Sequence, residues 1–321
     1  MDIEALLHPT DTRTAAKALV EAAMTAGYAP SIHNSRPWRW RVTGTTLDLH
    51  LVRGRILHAS DPDGRLATLS CGAALHHARV AMAAQGWEIT VTRMLQGADR
   101  DLLARLHVHH GAPADPAAAA LLSMIPLRHT DRRAVAGTRV GPEALVAITA
   151  AVEAQGTRLH VLRSDQVLDL AAAADRALLS AAADPAWEAE LTYWTGLAPP
   201  NTAGIPAAAI AGRNLGQRGD PPVTVRHDTA AVFVMLHGSA DEPLNWLRAG
   251  EALSAGWLTA GGRGVSVLPH SAPIETIATR QAMRAMIAGD GHPYLLLRLG
   301  TADPADAGAP RIPTDQIIER Y

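Results

Sequence analysis

Two distant stretches of this chain run through the same local events. "GAALHHARVAMAAQGWEITV" (72–91) can be laid without gaps on "GEALSAGWLTAGGRGVSVLP" (250–269). Gly72, Ala74, Leu75 and Gly86 then fall on Gly250, Ala252, Leu253 and Gly264. Each stretch reads as an apolar helix, a glycine stop and a strand. Four identities among twenty Ala-rich positions are few. As a duplication, the echo would demand two related α+β halves. At 321 residues the chain is long enough to bury a core in each.

The remaining punctuation fills in the elements. Residues 13–26 are Ala-rich and helical, with Gly27 at the C′ position. Trp38, Trp40 and Val42 alternate with Arg39 and Arg41, "TGTT" (43–46) turns the chain, and Leu47, Leu49 and Leu51 alternate again. That pattern predicts a hairpin. A long apolar helix is expected over 66–86, with strands at 88–95 and 105–111. A second segment begins near 115, with helices at about 116–124, 142–155 and 165–183 and a strand at 158–163. Pro142 sits where a helix begins. Residues 195–222 are rich in Pro, Gly and Asn, lack periodicity and read as a lid or ordered flap. Core strands follow at 229–238 and 294–300, with a buried helix at 244–262 between them. We therefore divide the chain into halves at 1–114 and 115–321.

Composition excludes several classes. A net charge of −2 gives no global field for nucleic acid or an anionic membrane. Cys71 stands alone, so neither a disulfide framework nor a cysteine metal cluster is expected. The start of the sequence has no basic and apolar leader, and no apolar run reaches the length of a membrane span. A cytoplasmic protein is expected. Lys17 is the only lysine; with abundant Ala this points to a high-GC, bacterial genome and weakens any argument built on Arg alone.

Two constellations carry candidate chemistry. In "YAPSIHNSRPWRWRV" (28–42), Pro30 and Pro37 fix φ, Ser31 and Asn34 offer a hydroxyl and an amide, and Arg36 offers a five-donor fork. Trp38 and Trp40 point to one face of the strand behind them and would anchor the loop. Such a loop suits a planar polar ligand; a Pro-stiffened turn with an Asx-type bond from Asn34 is the plainer reading. In "IPLRHTDRRAV" (125–135), Arg128, His129, Thr130 and Arg132 crowd five positions. Cations and a hydroxyl so close suit a phosphate monoester, and a solvated charged turn is the alternative. Other motifs are weaker. His107 and His109 alternate on a strand with His110 beside them, and metal binding there would also need a carboxylate or another His brought in by the fold. "GGRG" (261–264) follows a helix and is no nucleotide fingerprint. Ser271 lacks a nucleophile-elbow context. His76 and His77 read as helix surface.

Together the constellations resemble the flavin-dependent nitroreductase family, most closely its Acg-type branch of single-chain, duplicated proteins. "APSIHNSRPWRWRV" is similar to the family's P-S-x-x-N-x-Q-P-W loop, and "RHTDRRAV" to its phosphate-end motif. "GEALSAGWLTAGGRGVSVLPHSAPIE" resembles the helix–Gly–strand–Pro segment under the flavin. "HPYLLLRLG" with "APRIP" resembles the final strand and basic tail. The match covers most of the chain.

The resemblance implies an α+β nitroreductase-like fold, a central antiparallel sheet wrapped by helices, and a dimer fused into one chain with FMN at the internal interface. Arg128, His129, Thr130 and Arg132 would take the phosphate, ribityl and pyrimidine edge. Pro30, Ser31 and Asn34 would line the ring from across the pseudo-dimer, with Arg36 at the pyrimidine edge. Pro269, His270 and Ser271 would run under the ring, and Arg311 would close on the phosphate. NAD(P)H would supply electrons, in ping-pong order, for a small organic acceptor: a nitroaromatic, a quinone or a specialised metabolite. FMN sequestration under a lid is the other function the resemblance allows. No catalytic acid is evident. The sequence departs from the family at Arg36, usually Gln, and from the branch at Asp131, often Asn, and Ala203, often Asp.

Overall fold

In the hairpin, side-chain alternation becomes register. β1 (Trp38–Thr43) and β2 (Thr46–Leu51) pair antiparallel, with Trp38 opposite Leu51, Trp40 opposite Leu49 and Val42 opposite Leu47. The six apolar positions predicted from the sequence thus face one another across a single pair of strands. Trp38 and Trp40 are both 0% exposed, beneath α1 (Pro9–Ala26) and α2 (Arg65–Ala84). Our computed structural model describes residues 9–95, 97, 99–135, 137–182, 184–187, 189–190, 228–287, 289, 291–301 and 318–320. The segment 195–222 and Arg311 lie outside them.

The chain continues through β3 (Trp87–Arg93), β4 (Leu102–Gly111) and α3 (Pro116–Met124). Then come α4 (Pro142–Glu153), β5 (Arg158–Val161) and α5 (Ser164–Ala182). After residue 228 follow β6 (Val232–Gly238), α6 (Pro243–Gly261), β7 (Val265–His270), α7 (Ala272–Glu275), α8 (Ile277–Met286), β8 (His292–Thr301) and β9 (Ile318–Arg320). Pro142 and Pro243 open α4 and α6, where a missing N–H costs nothing. The class is α+β, with two sheets.

The sheets share one strand order. The first runs β3-β4-β2-β1-β9 and the second β7-β8-β6-β5. Their four corresponding strands pair antiparallel throughout. β9, from the far end of the chain, adds to the first sheet parallel to β1.

Between the sheets lie α2 and α6, buried over most of their length, and their crossing explains the echo. A Cβ on Gly72 would lie 1.9 Å from the Leu247 carbonyl oxygen, and one on Gly250 would lie 1.8 Å from that of Leu69. Leu69 precedes Gly72 as Leu247 precedes Gly250, so the contact is reciprocal. Ala74, Leu75, Ala252 and Leu253 are buried beside it. Gly86 and Gly264 take φ of 76° and 67°, the left-handed turn that ends each helix and launches β3 or β7. His76 and His77, expected on the helix surface, are instead buried, because α2 is enclosed on all sides.

Candidate functional site

The loop from Tyr28 to Pro37 leaves α1 and enters β1 through a short 3₁₀ turn at Ile32–Asn34. His33, Asn34 and Arg36 have φ of 43°, 59° and 45°. Side chains rarely adopt this region, and three such residues in four must be held there by their surroundings. Ile32 N donates to Ser70 Oγ at 3.2 Å, and Arg36 N to Ser31 Oγ at 3.0 Å. Arg36 Nε donates to Asn34 Oδ1 at 3.3 Å, and Arg55 Nη1 to the Arg36 carbonyl at 3.0 Å. Val52 N and Cys71 Sγ both donate to the Pro37 carbonyl. The two buried tryptophans form the footing. Pro30, Ser31 and Asn34 are half-buried, while Arg36 is 1% exposed.

The segment 128–135 reaches this loop. The buried Arg128 donates from Nη2 to the Tyr28 carbonyl at 3.3 Å, and its guanidinium lies 4.5 Å from the centre of the Trp257 ring on α6. Sequence reasoning set Arg128 beside a phosphate; the structure shows it also bridging α6 and the 28–37 loop. His129, Thr130 and Arg132 are half-buried, and His129 Nδ1 is 3.1 Å from the Leu127 carbonyl. Asp131 is the one carboxylate in 125–135 and is fully engaged by Arg133, through its Nε at 2.9 Å, its Nη2 at 2.8 Å and its backbone N at 3.0 Å. Burial would raise the Asp131 pKa, but those bonds, with the Arg133 and His129 charges, outweigh it and hold the carboxyl below its ordinary value.

The third piece is the end of β7. Asp131 N donates to the Val267 carbonyl at 3.2 Å, laying the charged segment along this strand. β7 is an edge strand, which is why Pro269 is tolerated within it. His270 and Ser271 are buried. The Ser271 carbonyl accepts from Ile274 N and Glu275 N, turning the chain into α7. The segments 28–37, 128–135 and the end of β7 are therefore tied together: 28–37 to Arg128, and Asp131 to β7.

Several residues here were not singled out from the sequence. Arg298 of β8 and Asp228 form a buried pair at 2.8 Å that grips the 131–135 backbone. The available signal was one charge set inside "YLLLRLG", an otherwise apolar core strand. Ser70 and Trp257 gave no comparable signal within their apolar helices. Among the described residues, no group of three or more His, Cys, Asp or Glu is placed to hold a metal ion.

No family model matches the chain. A protein of Mycobacterium tuberculosis H37Rv, provisionally named NAD(P)H nitroreductase Rv3131, is 39% identical over 310 residues, 91% of this chain and 88% of its own length. Acg of the same strain, also provisionally named an NAD(P)H nitroreductase, is 33% identical over 326 residues, 97% of each chain. The chain belongs to the nitroreductase family. Among solved structures, the FMN- and NADPH-dependent nitroreductase NfnB of Sphigopyxis sp. strain HMH aligns at TM-score 0.44 and 19% identity, covering 63% of this nitroreductase and 97% of its own chain. No helix among the described residues is long and apolar enough to cross a membrane.

Proposed function

We propose that this nitroreductase binds FMN and passes electrons from NAD(P)H to a small organic acceptor, a nitroaromatic, a quinone or a specialised metabolite. The observation that carries the reading is the convergence of the strained 28–37 loop, the cationic 128–132 segment and the edge of β7. The donor set suits an anionic, hydrogen-bond-rich group. Arg36, Arg128, Arg132, His129 and Thr130 supply cations and a hydroxyl, and the one carboxylate within 125–135, Asp131, is neutralised by Arg133.

In this reading, Thr130 and Arg132 hold the phosphate and ribityl end, with His129 beside them. Arg128 stiffens that end by stacking on Trp257. Pro30, Ser31 and Asn34 line the ring from the other half. Pro269, His270 and Ser271 lie along its opposite side; Arg311, expected at the phosphate from the resemblance, lies outside the described residues. Bound FMN supplies the hydride and electron chemistry. Arg132 and Arg36 place positive charge in advance where negative charge would develop on reduction, so little reorganisation is needed.

The same proposal makes the chain a fused dimer of halves 1–114 and 115–321, cytoplasmic, with one complete site. The shared strand order and the reciprocal Gly72–Gly250 crossing support it. To test it, the protein is denatured and the released cofactor weighed; FAD, or no flavin even after FMN is supplied, overturns the reading. Anaerobic addition of NADH or NADPH then tests turnover. Bleaching of the yellow protein is expected, and a protein that stays yellow with both donors is an FMN-sequestering protein instead.

A further inference from the structure

We infer that the buried Arg298–Asp228 pair is the positioning device of the phosphate end: it holds the 128–133 segment in the shape that presents Thr130 and Arg132 to the phosphate. The inference rests on the proposed placement of FMN.

The geometry leaves Arg298 no other evident task. Its side chain is 4% exposed and sits in β8, within the core of the second sheet. Nη1 donates to Asp228 Oδ1 at 2.8 Å. Nη2 donates to two backbone carbonyls, those of Asp131 at 2.9 Å and of Arg133. Asp228 Oδ1 also accepts from Val135 N at 2.9 Å, and the Val135 carbonyl accepts from Ala230 N at 3.1 Å. Residues 131, 133 and 135 are thus fixed from below by one ion pair, while Asp131 N is fixed to Val267. Val135 seats against Gly300, where a Cβ would come within 2.4 Å of Val135 Cγ2. Arg132 lies between two residues whose carbonyls converge on one guanidinium. Only a planar fork with several fixed donors spans such a set; a lysine ammonium is a single point donor on a flexible stem.

An ion pair that merely stabilised the fold would affect every ligand alike. A pair that shapes the phosphate end affects only ligands with a phosphate. The test therefore compares FMN with riboflavin, which lacks the phosphate, by fluorescence titration of the flavin-free full-length protein. Wild type is expected to prefer FMN by at least about tenfold, because one charge-assisted bond to phosphate is worth that or more. In Arg298→Lys the preference should fall several-fold, riboflavin affinity staying within about twofold. Asp228→Asn, which keeps a side-chain oxygen for Val135 N, serves the same purpose where Arg298→Lys does not fold. A wild-type preference retained in the variants overturns the positioning role and leaves the proposed site intact. A wild type that does not prefer FMN overturns the phosphate placement itself, and this inference with it.

Discussion

Arg132 and Arg36 make different demands on the fold, and substitution should separate them. Arg132 is half-buried at the rim of the cationic segment, while Arg36 is 1% exposed and closes its own loop through Asn34. Arg132→Ala should weaken FMN binding roughly 10- to 150-fold, the worth of one charge-assisted bond to phosphate, while the melting temperature of the flavin-free protein holds. Arg36→Ala should instead lower that temperature by several degrees, since it empties a buried position beneath a strained backbone. Titration with FMN and thermal melts of the same preparations check both, and unchanged FMN affinity in Arg132→Ala refutes the assignment. Asp61 offers a pH test. Its carboxylate caps α2 by accepting from Leu66 N at 3.0 Å and Ala67 N at 2.8 Å. Burial nevertheless pushes its pKa up to about 6, against the lowering effect of those bonds and of Arg65. A raised carboxyl pKa means that the native state holds the proton longer than the unfolded chain. Asp61 should therefore withdraw stability as pH rises from about 4 to 6, on the order of 1–3 kcal/mol. Denaturant melts of Asp61→Asn across that range should show a flatter profile than wild type; matching profiles would refute this. None of this was legible for Asp61 in the sequence, because burial of a carboxylate by distant elements leaves no local pattern.

The two central helices set the distance between the sheets, and glycine sets the distance between the helices. Gly72→Ala or Gly250→Ala drives a methyl group into a backbone carbonyl that no rotamer change can move. Either should cost about 3 kcal/mol or more and lower the melting temperature by on the order of 5–10 °C. Gly256→Ala meets the movable Val152 side chain, with Cγ2 at 2.8 Å, and should cost less. Gly54→Ala, with nothing within 4 Å, should be nearly neutral. Calorimetry of the four variants ranks them, and a tolerated Gly72→Ala would refute close approach at the crossing. At this scale the sequence was most readable. Alternation in 38–51 predicted the hairpin and its buried face, because a period of two is a local signal. The paired glycines were visible as repeated letters, but their facing one another was not, since a helix crossing is decided by tertiary packing. The short α7 and the added strand β9 were missed for related reasons: four residues carry no period, and an edge strand takes its partner from a remote segment.

At the scale of the whole molecule, the strand orders and the α2–α6 crossing relate the halves, yet the halves differ where a second site would form. The loop after α1 spans residues 27–37, whereas the corresponding loop after α4 spans only 154–157. The spacing that lays Gly72 on Gly250 also lays Arg79 on Trp257 and Arg93 on Ser271. In the proposed site, Arg128 covers Trp257 and bonds to the Tyr28 carbonyl. In the corresponding place, Arg79 Nη1 bonds to Gln155 Oε1 at 2.8 Å and to Glu251 Oε1 at 2.7 Å. Arg93 holds both oxygens of the same carboxylate, at 2.7 and 2.8 Å. Glu251 is 1% exposed. Side chains from both halves thus fill this place with an ion cluster, and the shortened loop leaves no wall like 28–37. One FMN per chain is the expected stoichiometry. Titration of flavin-free protein should saturate at about one equivalent, and saturation at two of similar affinity would refute the one-site reading. The cluster should act on stability instead of cofactor binding. Glu251→Gln removes the charge between two arginines and should cost on the order of 3–5 kcal/mol, as breaking a buried ion pair does. FMN affinity should stay within a few-fold, because the cluster lies at the place related to the site and not in it. A Glu251→Gln protein of unchanged stability that had lost FMN would place the cofactor at this cluster and reverse the assignment of the two places.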